Sequence, residues 1–478
     1  MSEVFDVVVI GAGPAGEVAA GRLGEAGLSV AIVEQELIGG ECSYYACMPS
    51  KALLRPAELL AEVERVPGAR EAVTGALDVG AVLARRDEVI HDLDDSVQLP
   101  WLEQRHVSVV RGPGRLDGER RVRVGERVLE ARQAVVVATG SGAAIPPIPG
   151  LRETAHWTNR EATTAKVVPA RLLILGGGVV GVEMAQAWSS LGSTVTLIEM
   201  LPRLLAREEP FASEQVAESL RGRGVDVRTG ARATAVRRDA GEIVVTLADG
   251  QAVHGDELLV AVGRRPLTDE LGLETVGLEP SRSIEVYDAM RALGFEWLYA
   301  IGDVNGRVLL THMGKYQARI AAEQILGSDV RVREHAHGPL SPRVVFSDPQ
   351  VAAVGHTLES AREAGIQVQA IDQSTSGNAG GSFYGRNATG IARLVIDEER
   401  QLIVGATFTG AEVAEFVHAA TIALVGEVTI DELWHAVPSF PTRSEVWLRL
   451  LEAYEASVSE REPRASAQPR SAPLARTR

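Results

Sequence analysis

The strongest constraint on the fold is a strand, a glycine-rich turn and a helix at the start of this 478-residue sequence. The apolar run 7–10 leads into a turn with Gly11, Gly13 and Gly16, and the strand after the next helix ends at Glu34. In such a turn the first glycine permits a tight bend, the second lets the backbone approach a pyrophosphate, and the third lets helix and strand pack closely. The pattern predicts a βαβ unit that binds a dinucleotide, with Glu34 on a ribose hydroxyl.

The same unit recurs in the middle of the chain. Strand 172–175 leads into a turn with Gly176, Gly178 and Gly181, and the strand that follows the helix ends at Glu199. In both copies the acidic residue lies 23 positions after the first glycine. One such match is a weak signal, but two in the same strand–turn–helix context predict an α/β fold with two Rossmann-like domains and two bound dinucleotides.

Residues after the second turn bear on the choice of nicotinamide cofactor. The carboxylate of Glu199 accepts hydrogen bonds from a ribose 2′-hydroxyl and repels a 2′-phosphate, so NADH is favoured over NADPH. Arg203 and Arg207 weaken this preference, because either guanidinium could hold the phosphate.

Length and charge narrow the class of protein. A chain of this length exceeds one compact core, so two to four domains are expected. No uninterrupted apolar stretch is long enough for a membrane span and no basic leader precedes the first apolar run, so we expect a cytoplasmic protein with no membrane partner. Nucleic-acid binding needs a basic face, and the net charge of −16 argues against one, so no nucleic-acid partner is expected.

Both cysteines of the chain, Cys42 and Cys47, lie in one segment. Secreted disulfide frameworks spread their cysteines along the chain, so this placement indicates redox or metal chemistry. Glu41 is the only carboxylate between residues 39 and 51, and no histidine lies there, so zinc is not expected.

A disulfide between these cysteines requires a distorted backbone. Five positions on a regular helix turn the side chain through about 500°, which places the two sulfurs on different faces. Gly39, Gly40 and Pro49 offer reasons for distortion at the ends of the segment. The alternatives to a redox-active pair are two inert buried thiols or a disulfide that takes no part in catalysis.

The segment 39–51 combines two glycines, a cysteine pair separated by four residues, and Pro-Ser-Lys. In these features and in its two glycine-rich turns the sequence resembles the pyridine nucleotide-disulfide oxidoreductase family. The resemblance implies that the first unit holds FAD and the second holds the nicotinamide cofactor. The FAD site implied by the resemblance also includes Ala138, Thr139, Gly140, Gly302 and Asp303, and Gly263 lies in the turn that leads back toward the FAD domain.

The same resemblance implies roles for the residues around the cysteines. Cys47 corresponds to the thiolate that lies against the flavin, and Cys42 to the thiol that faces the substrate. Lys51 and Glu183 correspond to an ion pair beside the flavin ring, where a cation favours the reduced, anionic flavin. Taken alone, each of these two charged residues reads as an ordinary helix-surface charge.

One position departs from the pattern of the thiol-reducing members. They carry a histidine before Pro-Thr and a glutamate five positions after that histidine. Here Phe440 precedes Pro-Thr and Glu445 keeps the position of the glutamate, so the usual general base is missing. His435 aligns with no catalytic position, while the unusual Tyr44 and Tyr45 remain as proton donors or metal-contacting groups.

The resemblance implies a homodimer in which the C-terminal residues face the cysteines of the partner. Predicted boundaries are 1–150 and 268–338 for a two-part FAD domain, 151–267 for the NAD(P) domain, 339–457 for an α+β dimerisation domain and 458–478 for a disordered tail. In that third domain, strands are predicted at 344–346, 391–396 and 403–409, with a helix over 411–425.

We therefore expect an NAD(P)H oxidoreductase that passes electrons through FAD and the cysteine pair to a quinone, a metal ion or a specialised disulfide. Two alternatives remain open. One is a dihydrolipoamide dehydrogenase-like disulfide reductase with a substitute base, and the other is a redox-sensing protein that keeps flavin and disulfide as a switch.

Overall fold

A computed structural model describes residues 2–333, 337–386 and 388–461 of the chain. In these ranges the strands are β1 Ser2–Ile10, β2 Val30–Glu34, β3 Val107–Arg111, β4 Gly114–Leu116, β5 Arg121–Val124, β6 Arg127–Val137, β7 Ser141–Ala143, β8 Arg171–Leu175, β9 Thr194–Ile198, β10 Asp226–Arg228, β11 Ala233–Asp239, β12 Glu242–Leu247, β13 Ala252–Gly255, β14 Glu257–Val260, β15 Arg264–Pro266, β16 Leu298–Ala300, β17 Arg343–Val345, β18 Gln350–Gly355, β19 Val368–Ser374, β20 Ile391–Asp397 and β21 Leu402–Gly410. The α-helices are α1 Pro14–Glu25, α2 Gly40–Tyr44, α3 Cys47–Arg65, α4 Val79–Val89, α5 Leu99–Glu103, α6 Asn159–Thr164, α7 Val179–Ser190, α8 Pro210–Gly222, α9 Thr311–Ile325, α10 Leu358–Glu363, α11 Phe416–Val425, α12 Ile430–Leu433 and α13 Glu445–Arg461.

The first sheet has the order β3-β2-β1-β6-β5-β4, with β16 beside β6. Strands β3, β2, β1, β6 and β16 of this sheet are parallel. Val7, Val8 and Val9 are fully buried in one core with residues of α1 and α9. A parallel strand covered on both faces needs apolar side chains at successive positions, which explains the run at 7–10.

The second sheet is parallel, in the order β10-β9-β8-β14. Along β8, Leu172 and Ile174 pack with residues of α7, whereas Leu173 and Leu175 pack with the antiparallel sheet β11-β12-β13. Both predicted βαβ units are therefore confirmed, as is the α/β class.

A short antiparallel pair links the two parallel sheets. Strand β7 precedes the second sheet in the chain and β15 follows it, and they pair with Ser141 opposite Pro266 and Ala143 opposite Arg264. The predicted domain boundaries at residues 150, 267 and 338 stay predictions, and each falls between strands of different sheets.

The C-terminal sheet is antiparallel, in the order β17-β18-β21-β20-β19, with α11 and α13 in its core. The three predicted strands are confirmed, but β18 and β19 were missed. The helix predicted from residue 411 begins at Phe416: Glu412 has a left-handed φ of 52° that a helix does not accommodate, and Val413–Glu415 form a 3-10 turn before the α-helix.

The last helix changes the predicted start of the tail. Helix α13 continues to Arg461, so residues 458–461 are helical, and the rest of the predicted disordered tail lies outside the described residues. Among the described helices, none combines the length and apolar character that a membrane span requires.

Candidate active site

The first glycine-rich turn leaves room for a ligand on one side only. Gly11 has φ +101°, and a Cβ on Gly16 would lie 1.9 Å from the Gly11 carbonyl oxygen. A Cβ on Gly13 would meet no protein atom within 4 Å. Glu34 Oε2 accepts the Ala12 N–H at 2.7 Å, which holds the carboxylate beside the turn. The open side at Gly13, at the start of α1, fits a pyrophosphate.

The second turn has the same geometry. Gly176 has φ +106°, a Cβ on Gly181 would lie 1.9 Å from the Gly176 carbonyl oxygen, and Gly178 is open. Glu199 Oε2 accepts the Gly177 N–H at 2.5 Å. The matching carboxylates fit ribose hydroxyls in both units. Exposed apolar side chains lie on the segments around this second turn: Val179, Val180, Met200, Leu201 and Val262.

The other predicted FAD-site residues converge on the first turn. A Cβ on Gly11 would lie 2.4 Å from the Ala138 carbonyl oxygen, and Gly302 packs against Ala15 beside the same turn. Thr139 and Gly140 follow Ala138, and the Thr139 hydroxyl donates to the Leu267 carbonyl at 2.8 Å. Gly263 has φ +137° and precedes β15.

Asp303 is a half-buried carboxyl beside Gly302. The Ser141 hydroxyl donates to Asp303 Oδ2 at 2.5 Å. Burial raises the pKa of the Asp303 carboxyl, against the opposing hydrogen bond from Ser141. A carboxyl in such a setting gains from another hydrogen-bond donor, and the ribityl hydroxyls of FAD are suitable donors.

The cysteine segment contains the predicted distortion, but the main break lies between the two cysteines. Helix α2 ends at Tyr44 and α3 begins at Cys47, with Ala46 at φ −135° and ψ −93° between them. Gly39 and Gly40 have φ of 107° and 56°; Gly40 packs against Gly13, and the Gly39 N–H donates to the Ala12 carbonyl at 2.7 Å. The break brings the two thiols close enough for each to shift the pKa of the other, whereas a regular helix places them on different faces.

Cys47 is the more acidic of the two free thiols. The hydrogen bond from Cys42 lowers the pKa of Cys47 to about 6, against burial and with help from the Thr311 hydroxyl and the charge of Lys51. Its Sγ lies 3.3 Å from Thr311 Oγ1, at the first residue of α9. The same Cys42–Cys47 hydrogen bond, together with burial, raises the pKa of Cys42. Cys47 is therefore the thiolate at neutral pH.

Lys51 and Glu183 form the predicted ion pair. Lys51 Nζ lies 2.7 Å from Glu183 Oε2 and 4.8 Å from the centre of the Phe346 ring. The Glu183 side chain is 3% exposed, and its other oxygen accepts the Phe346 N–H at 3.0 Å. Because Cys47 and Lys51 are one turn apart on α3, the ammonium lies on the same helix face as the thiolate.

The C-terminal segment presents Phe440 to solvent. Its side chain is 76% exposed, whereas Glu445 is buried. Glu445 Oε1 accepts a hydrogen bond from Arg449 at 2.8 Å, and Oε2 has no partner among the described residues. Residues 441–444 form one wall of a cleft of about 870 Å³, and Lys51 with the following turns of α3 forms another.

His435 is the substitute base considered from the sequence, and Tyr44 and Tyr45 are the candidate proton donors or metal-contacting groups. His435 is exposed on the segment before Phe440. Tyr44 is buried, and Tyr45 lies under the Arg160 guanidinium, 4.6 Å from the ring centre. Burial raises the pKa of both phenols, so they stay protonated at neutral pH and cannot act as bases there.

Several residues of the site were not apparent from the sequence. Thr311, which contacts Cys47, and Asn159 and Thr163, which hydrogen-bond to the cysteine segment, lie in parts of the chain without a recognisable motif. One feature of the sequence could have indicated Asn159 and Thr163. Pro49, four positions after Tyr45, has no N–H, so the Tyr45 carbonyl needs a hydrogen-bond donor from another part of the chain.

Comparison with known proteins agrees with this geometry. The family model of the pyridine nucleotide-disulphide oxidoreductases matches residues 5–322, and the model of their dimerisation domain matches residues 341–450. The chain belongs to this family. As a pyridine nucleotide-disulphide oxidoreductase it uses FAD and NAD(P), and its dimerisation domain supports a homodimer.

Individual members of the pyridine nucleotide-disulphide oxidoreductases cover most of the chain. The chain is 35% identical to the dihydrolipoyl dehydrogenase of Chlorobaculum tepidum, over 92% of this chain and 95% of that enzyme. It is 33% identical to the mercuric reductase of Shigella flexneri, over 90% of this chain and 78% of that enzyme. The Cu(II) complex of the HOCl-induced flavoprotein disulfide reductase RclA from Escherichia coli has a TM-score of 0.83 and 25% identity, over 94% of this chain and 99% of that one.

Proposed function

We propose that this oxidoreductase oxidises NADH through FAD and the Cys42–Cys47 pair and delivers the electrons to an acceptor that needs no histidine base. The observation that carries the proposal is the setting of Cys47, whose Sγ lies 3.3 Å from Thr311 Oγ1 and which is one helix turn from Lys51; these groups favour the thiolate. Bound FAD would supply the two-electron chemistry between nicotinamide and sulfur.

Within this proposal, the protein's own groups bind and orient the cofactors. Gly11, Gly13, Gly16, Glu34, Ala138, Thr139, Gly140, Gly302 and Asp303 hold FAD, and Gly176, Gly178, Gly181, Glu199 and Gly263 hold the nicotinamide cofactor. Lys51, fixed by Glu183, keeps a positive charge near Cys47 and stabilises its thiolate.

The preference for NADH rests on the residues after β9. Glu199 is hydrogen-bonded to the turn and remains where a 2′-phosphate would be repelled. The Arg203 guanidinium donates to the carbonyl groups of Glu208 and Ala206, both at 2.7 Å. The Arg203 guanidinium is therefore already held by backbone carbonyls. Of the two arginines considered from the sequence, Arg207 is the one left to contact a 2′-phosphate.

The acceptor is proposed to be a quinone, a metal ion or a specialised disulfide. We infer that Phe440 occupies the position of the missing base, and a phenylalanine cannot move the protons of thiol–disulfide interchange. Likeness to a mercuric reductase and to the Cu(II) complex of RclA supports a metal ion among these acceptors. Likeness to dihydrolipoyl dehydrogenases, with a free oxygen on buried Glu445, supports the alternative of a disulfide reductase.

An anaerobic titration with NADH tests the relay. We expect a long-wavelength thiolate-to-flavin band, which lipoamide leaves in place and a quinone or Cu(II) discharges. Rapid discharge by lipoamide would favour the disulfide reductase. Reduction without turnover on any acceptor would favour a redox sensor, and absence of the band would remove Cys42–Cys47 from the electron path.

Restoring a base at position 440 tests the acceptor. Phe440→His should raise NADH–lipoamide activity by about 100-fold, the lower end of the usual contribution of a general base, because Arg449 competes for Glu445. Phe440→Leu is the control and should change nothing. A histidine variant with no gain would contradict the inference that position 440 decides the acceptor.

A further inference from the structure

The Tyr45 carbonyl lies at the break between the two cysteines and accepts two hydrogen bonds from helix α6. Asn159 Nδ2 donates at 2.9 Å, and Thr163 Oγ1 lies at 3.0 Å and shares its one proton between this carbonyl and that of Asn159, which is 2.9 Å away. Both donors are buried, with residue exposures of 6% and 2%. The helical partner of this carbonyl would be the N–H of residue 49, which is a proline. Helix α6 therefore supplies the donors that the helix itself lacks.

The same helix also holds Glu41, the neighbour of Cys42. Asn159 Nδ2 lies 2.8 Å from Glu41 Oε2, and Arg160 Nε donates to Glu41 Oε1. The Arg160 guanidinium also stacks over the Tyr45 ring. A single helix thus contacts the cysteine segment on both sides of Cys42, at Glu41 and at Tyr45.

Arg264, from strand β15, fixes the orientation of the Asn159 amide. Its Nη1 lies 3.2 Å from Asn159 Oδ1, and because a guanidinium only donates, the amide oxygen must face it. The amide NH₂ then points to Glu41 and Tyr45. Arg264 also approaches Glu41 Oε2 to 3.5 Å and donates to Ser141 Oγ at 2.7 Å.

We infer that Asn159, Arg160, Thr163 and Arg264 form a cysteine clamp, a set of positioning residues that holds the broken helix in the form in which Cys42 and Cys47 meet. Among their hydrogen bonds to described residues, none goes to the sulfur of Cys42 or Cys47. The inference rests on the proposed role of the cysteine pair as electron relay and adds the groups that keep its geometry.

The clamp has a consequence for the redox equilibrium of the pair. Two thiols held in contact form a disulfide more readily than two thiols that drift apart, because less chain entropy is lost on closure. Loosening the clamp therefore shifts the equilibrium toward the dithiol. A purely structural role for α6 would change the melting temperature and leave this equilibrium in place.

The test uses the FAD-loaded protein equilibrated with mixtures of oxidised and reduced dithiothreitol, followed by alkylation and mass spectrometry of the cysteine peptide. Asn159→Ala should shift the equilibrium toward the dithiol about tenfold, which is about 30 mV, and Arg160→Ala about threefold. Thr163→Val should shift it in the same direction, whereas Thr163→Ser keeps the hydroxyl and should match the wild type.

A matched control lies on the same helix. The Thr164 hydroxyl bonds to the Arg160 carbonyl at 2.7 Å, so Thr164→Ala perturbs α6 and leaves the four clamp side chains intact. This variant should retain the wild-type equilibrium. If Asn159→Ala does not fold, Arg160→Ala and the two Thr163 variants test the clamp instead. They are expected to fold, because the Arg160 side chain is 38% exposed and Thr163→Ser is conservative.

The outcomes separate the clamp from the relay. A wild-type disulfide together with unchanged equilibria in the clamp variants overturns the clamp and leaves the relay standing. Wild-type cysteines that never form a disulfide overturn the proposed electron relay, and the clamp inference, which rests on the relay, is then overturned as well. A shift in the clamp variants alone, with Thr164→Ala unchanged, supports both.

Discussion

The sulfur atom of Cys47 lies where three groups favour its anion. The Cys42 thiol and the Thr311 hydroxyl donate hydrogen bonds, and Lys51 contributes a positive charge. Burial acts in the opposite direction, and the donors outweigh it. The pKa of Cys47 therefore depends on particular side chains, so single substitutions should shift that pKa.

The first prediction concerns Thr311. In the NADH-reduced enzyme the thiolate band should be present at high pH and lost as the pH falls through about 6, the pKa of Cys47. Thr311→Val should move that midpoint to about 7, since a hydrogen bond to a charged group contributes about 1.5 kcal/mol and 1.36 kcal/mol corresponds to one pKa unit. Absorbance against pH measures it.

Thr311→Ser is the matched control, since it keeps the hydroxyl, and its midpoint should stay near that of the wild type. An unchanged midpoint in Thr311→Val would mean that the hydroxyl does not stabilise the thiolate, even though it lies 3.3 Å from the sulfur.

At this scale the residues alone left redox and metal chemistry open at the cysteine pair, and they did not indicate the side chains around it. The resemblance carried by the Cys42–Cys47 spacing and Pro-Ser-Lys implies a redox pair, which stays a prediction. Thr311 is 264 positions from Cys47, and only the folded sheet brings its helix to the sulfur. The ion pair Lys51–Glu183 could be predicted only from the resemblance, since each residue alone would be interpreted as a charge on a helix surface.

At the scale of elements, the two glycine-rich turns are near copies. Gly13 and Gly178 have ordinary backbone angles, with φ near −75°, and face open space, so alanine fits either position without strain. Gly16 and Gly181 differ, because their missing Cβ atoms make room for a carbonyl oxygen. Two glycines of each turn therefore serve separate purposes, ligand approach and packing.

The second prediction uses this difference to assign the cofactors. Gly178→Ala should raise the KM for NADH at least about tenfold while FAD content and melting temperature stay as in the wild type, because the added methyl blocks only the approaching pyrophosphate. Gly13→Ala should instead lower FAD content. Loss of FAD from Gly178→Ala would reverse the assignment of the two turns.

Periodicity predicted these units well and the C-terminal sheet less well. Parallel strands buried on both faces give continuous apolar runs, which are easily seen at 7–10 and 172–175. Strand β18 is buried throughout but contains two alanines and begins with a glutamine, and β19 mixes polar and apolar residues. Neither sequence therefore shows the apolar run by which a buried strand is recognised.

At the scale of the whole molecule, the dimerisation domain carries large apolar side chains on its surface. Val437, Phe440 and Phe383 are 81%, 76% and 67% exposed. Exposed apolar side chains of this size are typical of an interface, and the family homodimer supplies one. We propose that Phe440 and Glu445 lie at this interface, opposite the cysteines of the partner.

The third prediction follows from that surface. Val437→Glu should weaken the dimer at least about tenfold, because a carboxylate is costly to bury in an interface, and sedimentation velocity would measure it. NADH should still reduce the bound flavin, while turnover with an acceptor should fall. Val167→Glu is the control, since Val167 is 75% exposed and lies outside the matched dimerisation domain. A dimer unaffected by Val437→Glu would place the interface elsewhere.

The pairing of β7 with β15 has a consequence for protein engineering. These strands lie antiparallel where the chain enters and leaves the second dinucleotide unit, so cuts within them leave ends about 5 Å apart. The unit between them can thus be regarded as a cassette with adjacent termini. Grafting in a cassette from an NADPH-using relative should transfer coenzyme choice, provided that the graft retains Asn159, Arg160, Thr163 and Arg264.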